Sequence, residues 1–407
     1  MPVSTFDGMW AALAPVGRNA TTGGYRRFAW TRTDAALREW FRGEAARRGL
    51  EVVPDRVGNL WAWSGDPDAA AAAGHPGLVI GSHLDSVPDG GAFDGPLGVI
   101  SAFAALDLLR DRGFSPRRPV GIACFGDEEG ARFGVACAGS RLLTGALDPD
   151  RARSLADDDG TTMAEAMSAA GQDPRVLGRD DDALRRIGTF LELHVEQGRG
   201  LVGAGAGQGA AVGVASSIWP HGRWRLDLRG RADHAGTTRL ADRQDPMPAL
   251  AAAILEARAS AERRNALATV GKIRVEPNGV NAIPSAVTAW LDARGPDEAG
   301  VRAVVADVAD AAGTAPVEES WTPSTPFDPG LRDRLAAELA AADGSPAPVL
   351  PTGAGHDAGI LAAAGVPSAM LFVRNPTGVS HSPAEHAERD DCLAGVQALA
   401  QAVEVLT

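Results

Sequence analysis

The chain has 407 residues, of which 45% are hydrophobic, and its formal net charge at pH 7 is −13. This length exceeds what one hydrophobic core usually serves, so it favours two globular domains. The excess of acidic residues argues against nucleic acid or an anionic membrane as the main partner, because both attract basic surfaces.

The cysteines and the N-terminal residues bear on location. Three cysteines without CxxC spacing argue against a disulfide framework and against a thiolate zinc site. They favour a reducing compartment, and we expect a cytoplasmic protein. The N-terminal residues lack a basic segment followed by a long apolar one, and no uncharged apolar run reaches about 18 residues. We therefore expect neither export nor membrane insertion.

The first part of the chain alternates predicted strands and helices. The apolar run Gly77 to Ile80 predicts a buried strand, Leu97 to Arg112 a helix, and Val120 to Phe125 a second buried strand. A strand, helix, strand order predicts a largely parallel sheet covered by helices. A third short run, Thr189 to His194, follows the same pattern. The alanine tract Ala69 to Ala73 is interpreted as a loop.

The pattern changes after about Gly213. Polar and apolar residues alternate from Arg223 to Arg229 and, more weakly, from Val287 to Ala293, as in half-exposed antiparallel strands. Helices are predicted from Pro246 to Glu262 and from Gly300 to Ala312. These elements predict a compact α+β domain of ordinary size.

The last part of the chain resumes the first pattern, with a helix from Leu331 to Ala341 and an apolar run from Val366 to Val373. The predicted fold class is therefore α/β. A mainly parallel sheet with helices on both faces is formed by residues 1–212 and 326–407. An α+β domain of antiparallel sheet plus two helices, residues 213–325, interrupts it.

Candidate metal ligands lie at predicted strand ends or in turns. Because residues two apart on an extended backbone face the same side, the Asp85 carboxylate is predicted to orient the His83 imidazole. Histidine and carboxylate side chains are ligands of hard and borderline divalent metals, so their combination predicts a metal site. The candidate ligands are His83, Asp94, Glu128, Glu129, His194 and His381.

An acidic row, Asp127 to Glu129, follows the second predicted strand and precedes Gly130. Adjacent carboxylates are usually solvated, but the buried strand before them predicts that at least one is held close to the sheet. If Glu129 binds a metal, its neighbour Glu128 is positioned to transfer protons. Asp127 would either support the ligands or lie on the surface.

Six motifs cover nearly the whole chain: GSHLDSVPDGGAFDGPLGV, FGDEEGARFG, LELHVEQG, GRADHAGTT, NGVNAIPSA and GVSHSPAEH. They resemble motifs of the M20 metallopeptidase clan and occur in the same order. Within the clan they are similar to the amidohydrolase branch that includes allantoate amidohydrolase, N-carbamoyl-L-amino acid hydrolase and β-ureidopropionase.

The resemblance implies two divalent metal ions per subunit, which could be Mn, Zn, Co or Ni. His83 and His194 would bind one metal, Glu129 and His381 would bind the other, and Asp94 would bridge them.

The resemblance also assigns the remaining roles. Glu128 would be the general base and acid, and the inserted domain would mediate formation of a homodimer. His234 and Asn281 would polarise the substrate carbonyl. His234 could serve its own subunit or the partner's, or could simply cap a turn. Arg294 would bind the substrate carboxylate, or form a surface salt bridge. Further substrate contacts would be Gln197 and His356.

The implied activity is hydrolysis of a linear C–N amide bond in a small ureido or carbamoyl carboxylate. Allantoate is the first candidate substrate and an N-carbamoyl-L-amino acid the alternative. An aminopeptidase or dipeptidase of the same clan and a catalytically silent scaffold stay open. The EQG and HAGTT motifs favour the ureido branch over peptidases, and the intact Glu128 argues against a scaffold.

Overall fold

The computed structural model of the chain describes residues 5–203, 209–341 and 344–407. It divides into two compact units. The first unit comprises Met1–Ser216 and Pro326–Thr407, and the second comprises Ser217–Thr325. The catalytic and dimerisation roles that the sequence analysis assigned to the two parts stay predictions.

The helices of the described residues are short to medium in length. In chain order they are α1 (Phe6–Leu13), α2 (Arg32–Arg47), α3 (Pro67–Ala72), α4 (Pro96–Asp111), α5 (Ala138–Thr144), α6 (Pro149–Ser154), α7 (Met163–Ala169), α8 (Asp181–Leu184), α9 (Met247–Arg263), α10 (Glu298–Ala312), α11 (Pro329–Glu338), α12 (Asp357–Ala363) and α13 (Arg389–Leu406). None of them is both long and apolar enough to cross a membrane.

The strands belong to three sheets. In chain order they are β1 (Glu51–Pro54), β2 (Leu60–Ser64), β3 (Gly77–His83), β4 (Val120–Phe125), β5 (Ile187–Val195), β6 (Val212–Ile218), β7 (His221–Arg229), β8 (Asp233–His234), β9 (Leu267–Glu276), β10 (Ala282–Ile283), β11 (Ala286–Arg294), β12 (Val317–Thr322), β13 (Thr325–Pro326), β14 (Val349–Thr352) and β15 (Ser368–Val373).

The largest sheet has a parallel centre. Its strand order is β1-β2-β4-β3-β5-β15-β6-β13, with β14 paired to β6. The neighbours β4, β3, β5 and β15 run parallel, whereas β1, β2 and β6 pair antiparallel with theirs. Every residue of β3, β4 and β15 is buried, as expected of strands covered on both faces. The predicted fold class is confirmed.

The second unit contains an antiparallel sheet in the order β12-β7-β11-β9 and a separate two-stranded ribbon of β8 and β10. Along β7 and β11 buried residues alternate with more accessible ones, as the sequence predicted. The buried side chains pack with apolar residues of α9 and α10 to form the core of this unit.

Several predicted elements differ from the structure in type or bounds. Four of the five residues of the alanine tract interpreted as a loop, Ala69 to Ala72, lie in α3, because Asp66 caps that helix by accepting hydrogen bonds from the backbone N–H groups of Asp68 and Ala69. A proline in the first turn and the high helix propensity of alanine add to this cap. Helix α11 ends at Glu338, three residues before the predicted end.

Candidate functional site

The candidate ligands converge because the central strands are parallel. His83 is the last residue of β3, and His194 lies one residue before the end of β5. Glu128 and Glu129 follow β4, and His381 lies in the turn after β15. The carboxyl ends of parallel strands meet at one edge of a sheet, which is where open α/β sheets place their sites.

Three of these residues form a buried group, here called the inner cluster: His83, Asp94 and His194. Oδ1 of Asp94 lies 3.5 Å from Nε2 of His83 and 3.1 Å from Nε2 of His194. One ligand atom from each residue falls within 4.8 Å of the others, close enough for a single cation to contact all three.

A second group, the outer cluster, consists of Asp94, Glu129 and His381. Here Nε2 of His381 lies 3.5 Å from Oδ2 of Asp94 and 3.7 Å from Oε2 of Glu129. Asp94 therefore directs Oδ1 towards the inner cluster and Oδ2 towards the outer one. This is the arrangement required of a carboxylate that bridges two cations.

The buried histidines fit a metal-ligating role. Nδ1 of His83 is 3.2 Å from the backbone oxygen of Asp85, and Nδ1 of His194 is 2.9 Å from that of Val195. In the metal-free chain burial disfavours the protonated rings, but the neighbouring carboxylates favour them and raise the pKa, whereas a ring that binds a metal is neutral. With Nδ1–H donating to a carbonyl, Nε2 of the neutral ring carries the lone pair. Both Nε2 atoms are buried and make no hydrogen bond to the described residues, so these lone pairs are available to a cation.

Gly95 allows the turn of Asp94 to approach His83. Its φ of +81° lies in the region that favours glycine, and it precedes α4. A Cβ at this position would lie 2.4 Å from Cε1 of His83, which is closer than two carbon atoms can approach. A larger residue at this position would push the turn, and with it Asp94, away from His83.

Asp85 has a wider set of contacts than the sequence predicted. Its carboxylate accepts hydrogen bonds from the backbone N–H groups of Glu128 at 3.2 Å and Glu129 at 3.0 Å. Oδ1 also lies 3.5 Å from Nδ1 of His83. The side chain therefore holds the acidic row after β4 as well as contacting the imidazole.

Glu128 is buried beside the inner cluster but belongs to neither cluster. Its Oε2 lies 3.7 Å from Nε2 of His83, and its Oε1 accepts a hydrogen bond from the Cys137 thiol at 3.3 Å. Burial raises the pKa of Glu128 well above its ordinary value. A carboxyl group with a raised pKa next to a reaction centre can both accept and donate a proton.

The site concentrates negative charge in a buried region. Burial, with the nearby charge of Asp94, raises the pKa of Glu129 to about 7. About half of the His381 side chain is exposed, at 51%. Partial desolvation disfavours its charged form, but the hydrogen bond to Asp94 and the charge of Glu129 raise its pKa to about 9. The pKa of Asp94 is well below its ordinary value despite burial, because the positive charge of His194 favours the carboxylate.

Two predicted substrate contacts lie against metal-ligand candidates. Nε2 of Gln197 donates a hydrogen bond to Oδ2 of Asp94 at 2.8 Å. The buried ring of His356 packs edge-on against that of His194, with a centroid distance of 4.5 Å. Both residues border the clusters, and their assignment to a substrate pocket stays a prediction.

The second unit brings two further candidates together. Residues Ala282 and His234 pair in the β8–β10 ribbon, and the carbonyl of Asn281 accepts the backbone N–H of Ala235 at 3.0 Å. His234 and Asn281 are exposed. Nδ1 of His234 accepts the backbone N–H of Gly236 at 3.0 Å, so a neutral ring carries its proton on Nε2.

Arg294 lies at the end of β11 and pairs with Asp292 on the same strand. Its Nε and Nη2 atoms donate to the two carboxylate oxygens of Asp292 at 2.8 and 2.6 Å. This bidentate pair uses one edge of the guanidinium and fixes its plane.

Sequence reasoning missed Glu385 and Cys137. Glu385 is buried and accepts backbone hydrogen bonds from the turn of Asp94, although it lies inside the GVSHSPAEH motif. Its position four residues after His381 was the only signal in the sequence. Cys137 gave no signal, because its contact with Glu128 depends on the loop that joins β4 to α5.

Comparisons with known proteins agree with the predicted resemblance. The sequence profile of peptidase family M20/M25/M40 matches residues 79–405. The chain is 36% identical to an N-carbamoyl-L-amino acid amidohydrolase of Geobacillus stearothermophilus, covering 96% of each chain. It is 31% identical to an allantoate amidohydrolase of Escherichia coli, covering 93% of this chain and 92% of that protein. A crystal structure of an amidase of the hydantoinase/carbamoylase family from Burkholderia vietnamiensis is 28% identical, with a TM-score of 0.87 and coverage of 100% and 98%.

The protonation of the clusters predicts how a cation affects stability. The folded chain holds protons on Glu129 and His381 more tightly than the unfolded chain, whose ordinary pKa values are 4.5 and 6.5. In the metal-free protein this contribution to stability is lost as the pH rises through about 7 and about 9. A bound cation replaces these protons and needs deprotonated ligands.

We therefore expect Mn²⁺ to raise the melting temperature of the chelated protein more at about pH 8.5 than at about pH 6. Differential scanning fluorimetry measures both increments. His381→Gln should reduce the difference, and the control His75→Gln, at an exposed histidine, should not. Equal increments at the two pH values would contradict the prediction.

Proposed function

This chain belongs to peptidase family M20/M25/M40, and we propose that it is a metal-dependent amidohydrolase of small ureido or carbamoyl compounds that bear a carboxylate. It is a hydrolase of C–N bonds other than peptide bonds. The observation that carries the proposal is the pair of clusters that share Asp94 and lie beside Glu128.

We infer that each cluster holds one divalent cation, with Mn, Zn, Co and Ni as candidates because all four accept imidazole and carboxylate ligands. Two such cations would activate a water molecule and stabilise the negative charge that develops on a carbonyl oxygen. In this assignment His83 and His194 serve one ion, Glu129 and His381 the other, and Asp94 both.

Glu128 is assigned to proton transfer. Its carboxylate accepts a proton from the attacking water, and the carboxyl group then gives that proton to the leaving nitrogen. Its position supports this role, because the side chain is buried beside the inner cluster, with Oε2 3.7 Å from Nε2 of His83, and belongs to neither cluster. Hydrolysis of a terminal ureido group consumes one water and yields ammonia, carbon dioxide and the amine.

His234 and Asn281 are assigned to the substrate carbonyl. The hydrogen bond that Nδ1 of His234 accepts leaves Nε2–H as a donor, which suits stabilisation of a developing oxyanion. Asn281 lies next to it on the same ribbon and carries an amide donor. The proposal includes both alternatives, in which these donors serve their own subunit or the partner's.

Arg294 is assigned to the substrate carboxylate. Asp292 accepts hydrogen bonds from one edge of its guanidinium group, so the plane of this group is fixed before a substrate binds. A lysine ammonium cannot reproduce this planar geometry. Gln197 and His356, which border the metal clusters, are assigned as further contacts to the substrate.

Allantoate is the first candidate substrate, and an N-carbamoyl-L-amino acid is the second. The relatives support both, since one is an N-carbamoyl-L-amino acid amidohydrolase and another an allantoate amidohydrolase. An aminopeptidase or dipeptidase activity is less favoured because the EQG and HAGTT motifs point to the ureido branch, and a silent scaffold is less favoured because Glu128 is intact. The products formed from each substrate distinguish these activities, and the absence of any product identifies a scaffold.

We also propose that the protein is a homodimer. Strand β9 is at the edge of the second unit's sheet, and it exposes Leu267 and Ile273. Helix α9 exposes Ile254 and Leu255. An edge strand with exposed apolar side chains is suited to pairing with a second copy. Light scattering should then give twice the chain mass of 41.9 kDa, and a monomeric mass would exclude this interface.

A cytoplasmic location is proposed from the cysteines. Cys124, Cys137 and Cys392 are all free and buried, which suits a reducing compartment. Cell fractionation tests this, and recovery only from an extracellular or membrane fraction would contradict it.

The substrate class is tested by a product assay over allantoate, N-carbamoyl-L-amino acids, β-ureidopropionate, ureidoglycolate and dipeptides with defined metals. We expect ammonia release from at least one ureido or carbamoyl carboxylate, loss of activity on chelation, and recovery with added metal. Cleavage of dipeptides alone would indicate a peptidase, and no turnover at all would indicate a scaffold.

Arg294→Lys should raise KM for these substrates by about tenfold, because a charged bidentate contact is lost.

Glu128→Gln should keep metal binding and lower kcat by about 10²–10⁴-fold, because the amide cannot accept the proton of the attacking water. Glu129→Gln is the matched comparison, since it should weaken metal binding itself. Steady-state kinetics combined with metal analysis of both variants separate the two effects. A near-normal kcat for Glu128→Gln would remove its assigned role.

A further inference from the structure

Glu385 connects two turns of the candidate site without belonging to either metal cluster. It is 6% exposed and lies in the turn that carries His381. Its Oε2 accepts the backbone N–H groups of Phe93 at 2.8 Å and Asp94 at 3.1 Å. Its Oε1 accepts the Ser380 hydroxyl at 3.3 Å. The two turns are 291 residues apart in sequence, so this side chain joins segments that the backbone does not connect locally.

The backbone of the turn before Asp94 packs closely against the Glu385 carboxylate at Gly91. A Cβ at Gly91 would lie 2.1 Å from Oε2 of Glu385 and 2.5 Å from its Cβ. Only glycine leaves room for the side chain at this position. The fit between Gly91 and Glu385 indicates that the backbone of the turn is built around the carboxylate.

The same region fixes the orientation of the bridging carboxylate. Oδ2 of Asp94 accepts a hydrogen bond from Nε2 of Gln197 at 2.8 Å and shares the single proton of the Ser380 hydroxyl, 3.3 Å away, with Oε1 of Glu385. Ser380 therefore contacts both Asp94 and Glu385. With its backbone N–H held by Glu385 and its side chain by these two donors, Asp94 keeps one oxygen towards each cluster.

We propose that Glu385 is a positioning residue that holds the turn of Asp94 against the turn of His381, and thereby sets the geometry of the outer cluster. The outer cluster depends on it more than the inner one, because both turns contribute ligands there. In the inner cluster, His83 and His194 are fixed by their strands, and only Asp94 lies on a turn that Glu385 holds. The kinetic measurements that test this proposal rest on the proposed function, whereas the measurement of metal binding does not require hydrolytic activity.

Calorimetric titration of the chelated full-length chain with Mn²⁺ tests this directly. The wild-type chain is expected to bind two ions. Glu385→Ala should keep the tighter ion and bind the other about 10–100-fold more weakly, as expected when a residue that orients metal ligands is lost. Its kcat should fall at limiting metal and recover at high metal, while KM for the substrate changes less than kcat.

Glu385→Gln provides the rescue variant. One oxygen of Glu385 accepts both backbone N–H groups, and the amide oxygen of glutamine can take that place, so both ions should bind as in the wild type. Glu338→Ala, at an exposed glutamate of α11, is the control for removing a carboxylate elsewhere. It should leave both binding constants unchanged.

Two results would overturn the proposal. One is normal binding of both ions by Glu385→Ala, and the other is a Glu385→Gln variant that loses the weaker ion as Glu385→Ala does. Circular dichroism of the metal-free variants verifies that they fold, and Glu385→Gln keeps the test decisive if the alanine variant does not. Normal binding of two ions by a wild-type chain without hydrolytic activity would refute the proposed function and leave this inference standing.

Discussion

The accumulation of buried carboxyl groups at one edge of the sheet is the constraint on which the site depends. The carboxyl groups that are buried around the clusters are Asp85, Asp94, Asp127, Glu128, Glu192, Asp357 and Glu385. Charges in a buried region are costly unless they are paired, and proteins relieve the cost by protonation or by binding cations. In the metal-free chain, burial raises the pKa of Glu128 and of Glu129, because the charged carboxylates are unfavourable there. Two divalent cations would relieve it.

Parallel strands make such a concentration possible. Residues that are far apart in the chain arrive at the same edge because β3, β4, β5 and β15 all end there. The rigid strands fix the inner histidines, whereas Asp94 and His381 lie on turns that need side-chain contacts to hold them. Glu385, on the turn of His381, joins these two turns by accepting the backbone N–H groups of Phe93 and Asp94. Asp85 holds the acidic row after β4 in the same way, through the N–H groups of Glu128 and Glu129. Hydrogen bonds to backbone fix the path of a turn, so the carboxylates act as supports as well as charges.

The sequence predicted the elements whose burial leaves a local pattern. Val120 to Phe125 was predicted and observed as the same strand, because a continuous apolar run has few alternatives. The alternation in β7 and β11 was equally direct. Helix α3 was misread because the capping hydrogen bonds of Asp66 outweigh the flanking proline and glycine. The role of Glu385 could not be predicted, since the backbone N–H group of Asp94 that it accepts lies 291 residues away and an acid in the turn sequence Ser-Pro-Ala-Glu looks like an ordinary surface residue.

The bridging role of Asp94 has a consequence for how the two clusters act together. Its Oδ1 and Oδ2 belong to one rigid carboxylate plane, so a rotation that improves contact with His194 also moves the other oxygen relative to His381. The two cation positions are therefore coupled through a single side chain. Stabilising the turn of Asp94 fixes both at once, and loosening it affects first the cluster whose remaining ligands, Glu129 and His381, also lie on turns rather than on strands. The inner histidines can keep one cation, whereas the outer cluster requires its turns to be held.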